Sequence, residues 1–203
     1  MKKNMISSLL LITGPIFLLL EGITASSWVH PTYSYLSNWV SDLGVPTGLH
    51  TISSPLYGLM NLNFILFGLL FLIDYYLLSH FLDQKLRRIG VFLALFMTFG
   101  TFLVSAFPGY PWQGQIFHLL GALLVFIFAA STMIVTGRTL RKNEKQKTYG
   151  IVSILMGLIT LTSLVLTLSG MYPASISGAV ERLGLYPIVV WPSFMGTFLY
   201  LKK

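Results

Sequence analysis

The sequence predicts an all-α integral membrane bundle of six transmembrane helices, with a short interfacial amphipathic helix after the first span. Three observations predict it. Of 203 residues, 55% are hydrophobic and 9% charged, against about 25% charged in a soluble domain, and the mean hydropathy is +0.77. Six apolar runs approach the ~20 residues that a helix needs to cross a bilayer core. The basic residues fall on alternate connections between those runs. The alternating pattern of an outer-membrane barrel is absent, and a lipid-embedded backbone must then satisfy itself as helix. The whole chain, 1–203, reads as a single domain without a linker or low-complexity tract.

Span 1 covers roughly residues 5–26 and follows Lys2 and Lys3. A basic start, an apolar run and a small-residue end also fit a cleaved signal peptide. The length of the run and Glu21 within it favour a retained helix. Glu21 shares a stripe with Gly14, Gly22 and Ala25, so it is expected to face other helices.

Residues 27–55 form the long connection. In "YSYLSNWVSDLG", residues 33–44, Tyr35, Leu36, Trp39, Val40 and Leu43 recur with helical spacing, and Ser34, Ser37, Asn38, Ser41 and Asp42 fall opposite. Thr32 or Ser34 is a candidate cap, and Gly44 with Pro46 a stop signal. The expected element is an amphipathic helix at the membrane interface. Asp42 would lie in its last turn, where the helix dipole disfavours a carboxylate, and so calls for a cationic partner. On that side of the membrane only Arg182 qualifies.

Span 2 covers 56–79. Asn61 shares a face with Gly58, Ile65 and Gly68, a packing face; Asn63 points away from it, towards a helix–helix hydrogen bond. Asp74 is expected to meet the basic connections. Span 3, 89–107, follows "SHFLDQKLRR" and ends in "FPGYPWQG", a tight turn with Trp112 as interface anchor. Span 4, 115–137, carries His118 on one face with Gly121, Ala122 and Val125. Span 5 covers 149–170 and span 6 covers 183–201, the latter entered through "SGAVERLGLYP". Glu181 there suits a helix N-terminus. Arg182 does not, and needs either Asp42 or Glu181, or a bound anion.

Twelve of the thirteen Lys and Arg residues fall on the side of the two termini, leaving only Arg182 opposite. The positive-inside rule places both termini in the cytoplasm of a plasma-membrane protein. The net charge of +7 is therefore a topology signal, not a nucleic-acid footprint. Without Cys there is no thiol chemistry. No metal-ligand spacing, phosphate loop or serine-nucleophile motif is present, and no cofactor is expected.

The inward polar residues gather in the outer third of the bundle: Asp42, Asn61, His118, Glu181 and Arg182, with Glu21 and Asn38 beside them. Asp42, His118 and Glu181 are the candidate catalytic groups, because a carboxylate–His pair can serve as general base. Arg182, Asn61, Asn38 and Glu21 are candidate ligand contacts.

"LSNWVSDLG", Asn61, "FP" at the end of span 3, His118 and "ERLGLYP" together resemble the DUF998 family of small multi-pass membrane proteins. The resemblance covers nearly the whole chain and implies six spans and an unassigned function. An "S-D/E-x-G" motif after span 1 and a His opening a later span are more distantly similar to the Frag1/DRAM/Sfk1 group, which implies a lipid-facing role. Three functions stay open: an outward pocket for a lipid or an anionic or amphipathic small molecule, a small transporter or proton-linked carrier, and a non-catalytic membrane component in which the cluster locks the fold.

Overall fold

A computed structural model describes residues 3–28, 30–46, 54–109 and 114–201. Six long helices dominate it: α1 (Lys3–Ser27), α2 (Tyr57–Ser79), α3 (Gln84–Ala106), α4 (Gln115–Leu140), α5 (Lys147–Ser169) and α6 (Ser177–Leu201). All six are long and apolar enough to cross a membrane. Each packs on its neighbour in sequence, and α1 closes the ring against α6. The ends of α1 and α6 that carry the chain termini lie at one end of the bundle. The α1–α2 connection lies at the other, called here the loop end. The turn expected around Trp112 lies outside the described residues.

The spans sit where hydropathy puts them, but local chemistry moves their ends. Asp83 accepts the backbone N–H of Lys85 at 2.9 Å and starts α3 five residues before the apolar run. Gly170, with φ of 63°, ends α5 in the left-handed conformation that glycine adopts without penalty. The largest difference is in α6, which begins six residues earlier than expected. Its opening turn is polar, so hydropathy misses it. The α1–α2 connection completes it: Ala179 N–H donates to the Leu36 carbonyl at 2.9 Å, and Ser177 Oγ to the Ser37 carbonyl at 2.6 Å. These bonds satisfy groups that an isolated helix end leaves open.

Apolar residues cover these helices on all sides, so apolarity alone does not choose the buried face. Small and hydroxyl residues do. A Cβ on Gly121 would stand 2.8 Å from the Gly100 carbonyl, and one on Gly137 would stand 2.5 Å from the Gly150 carbonyl. These contacts hold α3 on α4 and α4 on α5 at backbone distance. Between helices, Ser7 Oγ donates to the Gly196 carbonyl at 2.8 Å, Thr160 Oγ1 to Gly184 at 3.0 Å, and Asn63 Nδ2 to Phe17 at 3.0 Å. The Asn63 bond crosses from α2 to α1.

Asp74 does not meet the basic connections. It is buried inside the bundle and accepts from Thr13 Oγ1 at 2.6 Å, and its other oxygen has no hydrogen-bond partner among the described residues. Helix rotation, not depth, decides this: Asp74 shares α2's packed face with Phe67, Phe71 and Tyr75.

Gly121→Val is expected to lower stability by about 1–3 kcal/mol, because backbone on α3 blocks the new side chain. Gly22→Ala, with no atom within 4 Å of the new Cβ, should leave it unchanged or slightly raised. Thermal unfolding of the purified protein in detergent compares the two.

Candidate functional site

The predicted amphipathic helix is not continuous. Residues 33–46 form a chain of turns closed by one 3-10 turn, Ser41–Gly44. The polar side chains compete with the helix for the backbone. Asn38 Oδ1 takes the Ser34 N–H at 2.9 Å, Ser34 Oγ takes that of Ser37 at 3.3 Å, and Asp42 Oδ2 takes that of Trp39 at 3.0 Å. The apolar set divides accordingly. Val40 and Leu43 plunge into the bundle, whereas Tyr35 and Leu36 stay exposed. Asn61 Nδ2 donates to the Gly44 carbonyl at 2.9 Å and pins the end of the turn to α2.

Arg182 sits under this connection, and its partner is neither Asp42 nor Glu181. Its Nη2 lies 3.0 Å from Glu21 Oε1 on α1, and Nε reaches the same oxygen at 3.2 Å. Nη2 also donates to Tyr33 Oη, and Nε to Tyr186 Oη. Nη1 donates to the carbonyls of Tyr35, Asn38 and Gly178. Every guanidinium nitrogen is engaged. Tyr33, buried, has its phenol pushed up by that burial, opposed by the Arg182 charge, so it remains a donor; it bonds the Trp39 carbonyl at 2.8 Å.

Asp42 needs no cation because it stands in the first turn of its 3-10 element, not the last turn of a helix. Its carboxyl is pushed up to about 6, chiefly by burial, with the Trp39 N–H, the Arg182 charge and the Asn38 amide working against the rise. Glu181 stands one turn inside α6, not at its start, and its Oε2 accepts the backbone N–H of Val40. His118 Nδ1 lies 2.8 Å from the Phe107 carbonyl at the end of α3. A carbonyl only accepts, so Nδ1 carries a proton.

The structure thus sorts the predicted residues into two groups. Asp42, His118 and Glu181 line one cavity of about 650 Å³, together with Trp39, Ser41 and Thr167. Apart from Gln115, the rest of its wall is apolar and comes mainly from α4 and α5. Glu21, Arg182, Asn38 and Asn61 stand outside that wall and hold the connection in place. A smaller hollow of about 40 Å³ adjoins it, towards Phe17, Phe67 and Leu185. Among the described residues no three His, Asp or Glu side chains come close enough to hold a metal ion.

Sequence reading missed Tyr33 and Tyr186 in the Arg182 network and Thr167 in the cavity wall. Tyr186 lies four residues after Arg182 on α6, a spacing that brings side chains together and was legible. Tyr33 and Thr167 are placed by tertiary packing alone.

The DUF998 family model, described as a protein of unknown function, matches residues 11–197. The chain belongs to that family. Comparison with curated proteins and with solved structures gives no match.

Glu21→Gln or Arg182→Met alone should cost about 3–5 kcal/mol by leaving one buried charge unpaired. The double variant should recover part of that loss. Thermal unfolding of all four proteins, read as a double-mutant cycle, checks it. For Asp42, the raised carboxyl means that the folded protein holds the proton more tightly than the unfolded chain. That contribution is full below about pH 4 and is lost as pH rises through about 6. Asp42→Asn retains the acceptor for Trp39 and should lack this dependence. The stability gap between wild type and variant is expected to shift by about 2 kcal/mol against wild type from pH 4 to 7.

Proposed function

We propose that the protein binds an amphipathic molecule, a membrane lipid or a compound of similar shape, in the cavity at the loop end. One observation carries the reading: two carboxyl groups and an imidazole from separate segments line a single cavity whose remaining wall is mostly apolar. Its volume falls within the ~300–1,000 Å³ usual for small-molecule sites. A polar head at Asp42, His118 and Glu181 with a tail along Leu119, Leu123 and Leu164 matches that wall. The basic residues at the opposite end favour a loop end outside the cell and both termini in the cytoplasm of the plasma membrane. The distant likeness to the Frag1/DRAM/Sfk1 group points the same way by analogy.

A catalytic reading of Asp42, His118 and Glu181 needs a reacting group between them. Binding needs only the wall, so binding is the reading proposed. A purely structural role is favoured by a specific observation for the other polar group. Arg182 spends its donors on Glu21, two tyrosines and three carbonyls, which accounts for those residues without a ligand.

Ala122, on the cavity wall, supplies the test. Wild type reconstituted in nanodiscs from native membranes should retain an amphiphile, seen by native mass spectrometry. Ala122→Phe should lose it while unfolding at a similar temperature. Wild type carrying no adduct, or adducts unchanged in the variant, would overturn the proposal.

A further inference from the structure

The charge of the cavity wall narrows what it can take, on the premise that it binds an amphiphile. Asp42 and Glu181 both stand on the wall with the imidazole of His118, and among the described residues no Lys or Arg does. Arg182, the nearest candidate to balance them, turns its guanidinium away onto Glu21 and the backbone of the α1–α2 connection. Thr167 Oγ1 on α5 is buried without a hydrogen-bond partner among the described residues and belongs to the same wall. An anionic head would face two acidic side chains and gain no ion pair from the wall. A head that donates hydrogen bonds would find acceptors.

The route in is also drawn by the helices. α4 and α5 touch at backbone distance where Gly137 meets Gly150 and again where Gly157 meets the Ala130 carbonyl. Both contacts lie towards the terminal end. Towards the loop end the cavity lies between the two helices, lined by Leu119 and Leu123 of α4 and by Leu164 and Leu168 of α5. Leu119 is 44% exposed and Leu168 57% exposed, so this rim opens on the outer surface of two membrane-crossing helices, near their loop ends.

We infer that the cavity selects an amphiphile whose head donates hydrogen bonds and is neutral or positively charged, an alkyl amine or alcohol in chemical class, and that the molecule enters sideways between α4 and α5. The two carboxylates orient the head, and the leucine rim holds the tail.

The test uses the protein in phosphatidylcholine nanodiscs and three probes of equal chain length carrying bromine beside the head: an alkylamine, an alkanol and an alkyl phosphate. Bromine quenches Trp39, which lines the cavity, and Trp39→Phe gives the background from the other tryptophans. The amine should quench saturably at a concentration at least about ten-fold below the phosphate, equivalent to about 1.4 kcal/mol. Asp42→Asn with Glu181→Gln should reduce that preference to less than about three-fold; both amides retain an acceptor for the Trp39 and Val40 N–H groups. Should that variant not fold, the thermal shift of wild type by amine against phosphate decides the same question. A phosphate that matches or beats the amine, with quenching blocked by Ala122→Phe, overturns the head-group inference and leaves the cavity reading standing. Quenching no greater in wild type than in Trp39→Phe for all three probes overturns both.

Discussion

The pairing of Arg182 with Glu21 is the constraint from which the loop end follows. Arg182 is 6% exposed and Glu21 1% exposed, both within membrane-crossing helices. The effective penalty for taking such ions out of water is several kcal/mol each, and attraction between them offsets it only when further hydrogen bonds complete the shell. Two helices cannot supply that shell alone. The α1–α2 connection folds inward and presents the Tyr35 and Asn38 carbonyls to Nη1 and the Tyr33 hydroxyl to Nη2. Tyr35 also lays its ring 4.8 Å from the guanidinium carbon, within cation–π range. The connection can come this close because α6 has glycine at 178; a Cβ there would stand 2.1 Å from the Asn38 carbonyl.

From that docking the cavity wall is set in order. Once the Asn38 carbonyl is fixed, Val40 must enter the bundle, and its N–H meets the Glu181 carboxylate. Asp42 then closes the next turn and faces the same space. The ion pair therefore does two things at once. It positions two acidic side chains on the wall, and it withdraws from that wall the one permanent cation at the loop end. The polar residues that look like a single cluster in sequence divide into a lock, centred on Arg182, and a wall, centred on Asp42, His118 and Glu181.

Much of this was legible beforehand, for identifiable reasons. The six spans follow from hydropathy because lipid leaves the backbone no alternative to helix. Burial of Glu21 follows from the small residues beside it, which mark a packing face; His118, on a similar face, is half-buried. The helix expected over residues 33–44 did not form whole, because periodicity counts apolar spacing and ignores Ser, Asn and Asp as competitors for backbone N–H groups. The partner of Arg182 is Glu21 and not Asp42 or Glu181, the charges nearest to it in sequence position at the loop end. Glu21 is 161 residues away in sequence and is brought close only by α1 packing on α6. Asp74 departs from expectation because its depth along α2 is legible in the sequence and its rotation about the helix axis is not.

Depth also bears on whether the cavity leads anywhere. Asn61 pins the connection at the loop end of α2, and Asp74 lies thirteen residues further along the same helix, about 20 Å at 1.5 Å per residue. Between those levels Phe17 packs on Phe67 with ring centres 5.1 Å apart and Trp191 packs on Phe71 at 5.8 Å, and at the level of Asp74 Trp191 stacks on Tyr75 at 6.2 Å. Phe17, Phe71, Tyr75 and Trp191 are almost wholly buried. A proton-linked carrier would need those rings to part in another state, and in a close-packed interior several side chains must move together for that to happen. In this state the arrangement favours holding a molecule at the loop end over passing it through. Asp74, level with the Trp191–Tyr75 pair and bonded to Thr13, ties α2 to α1.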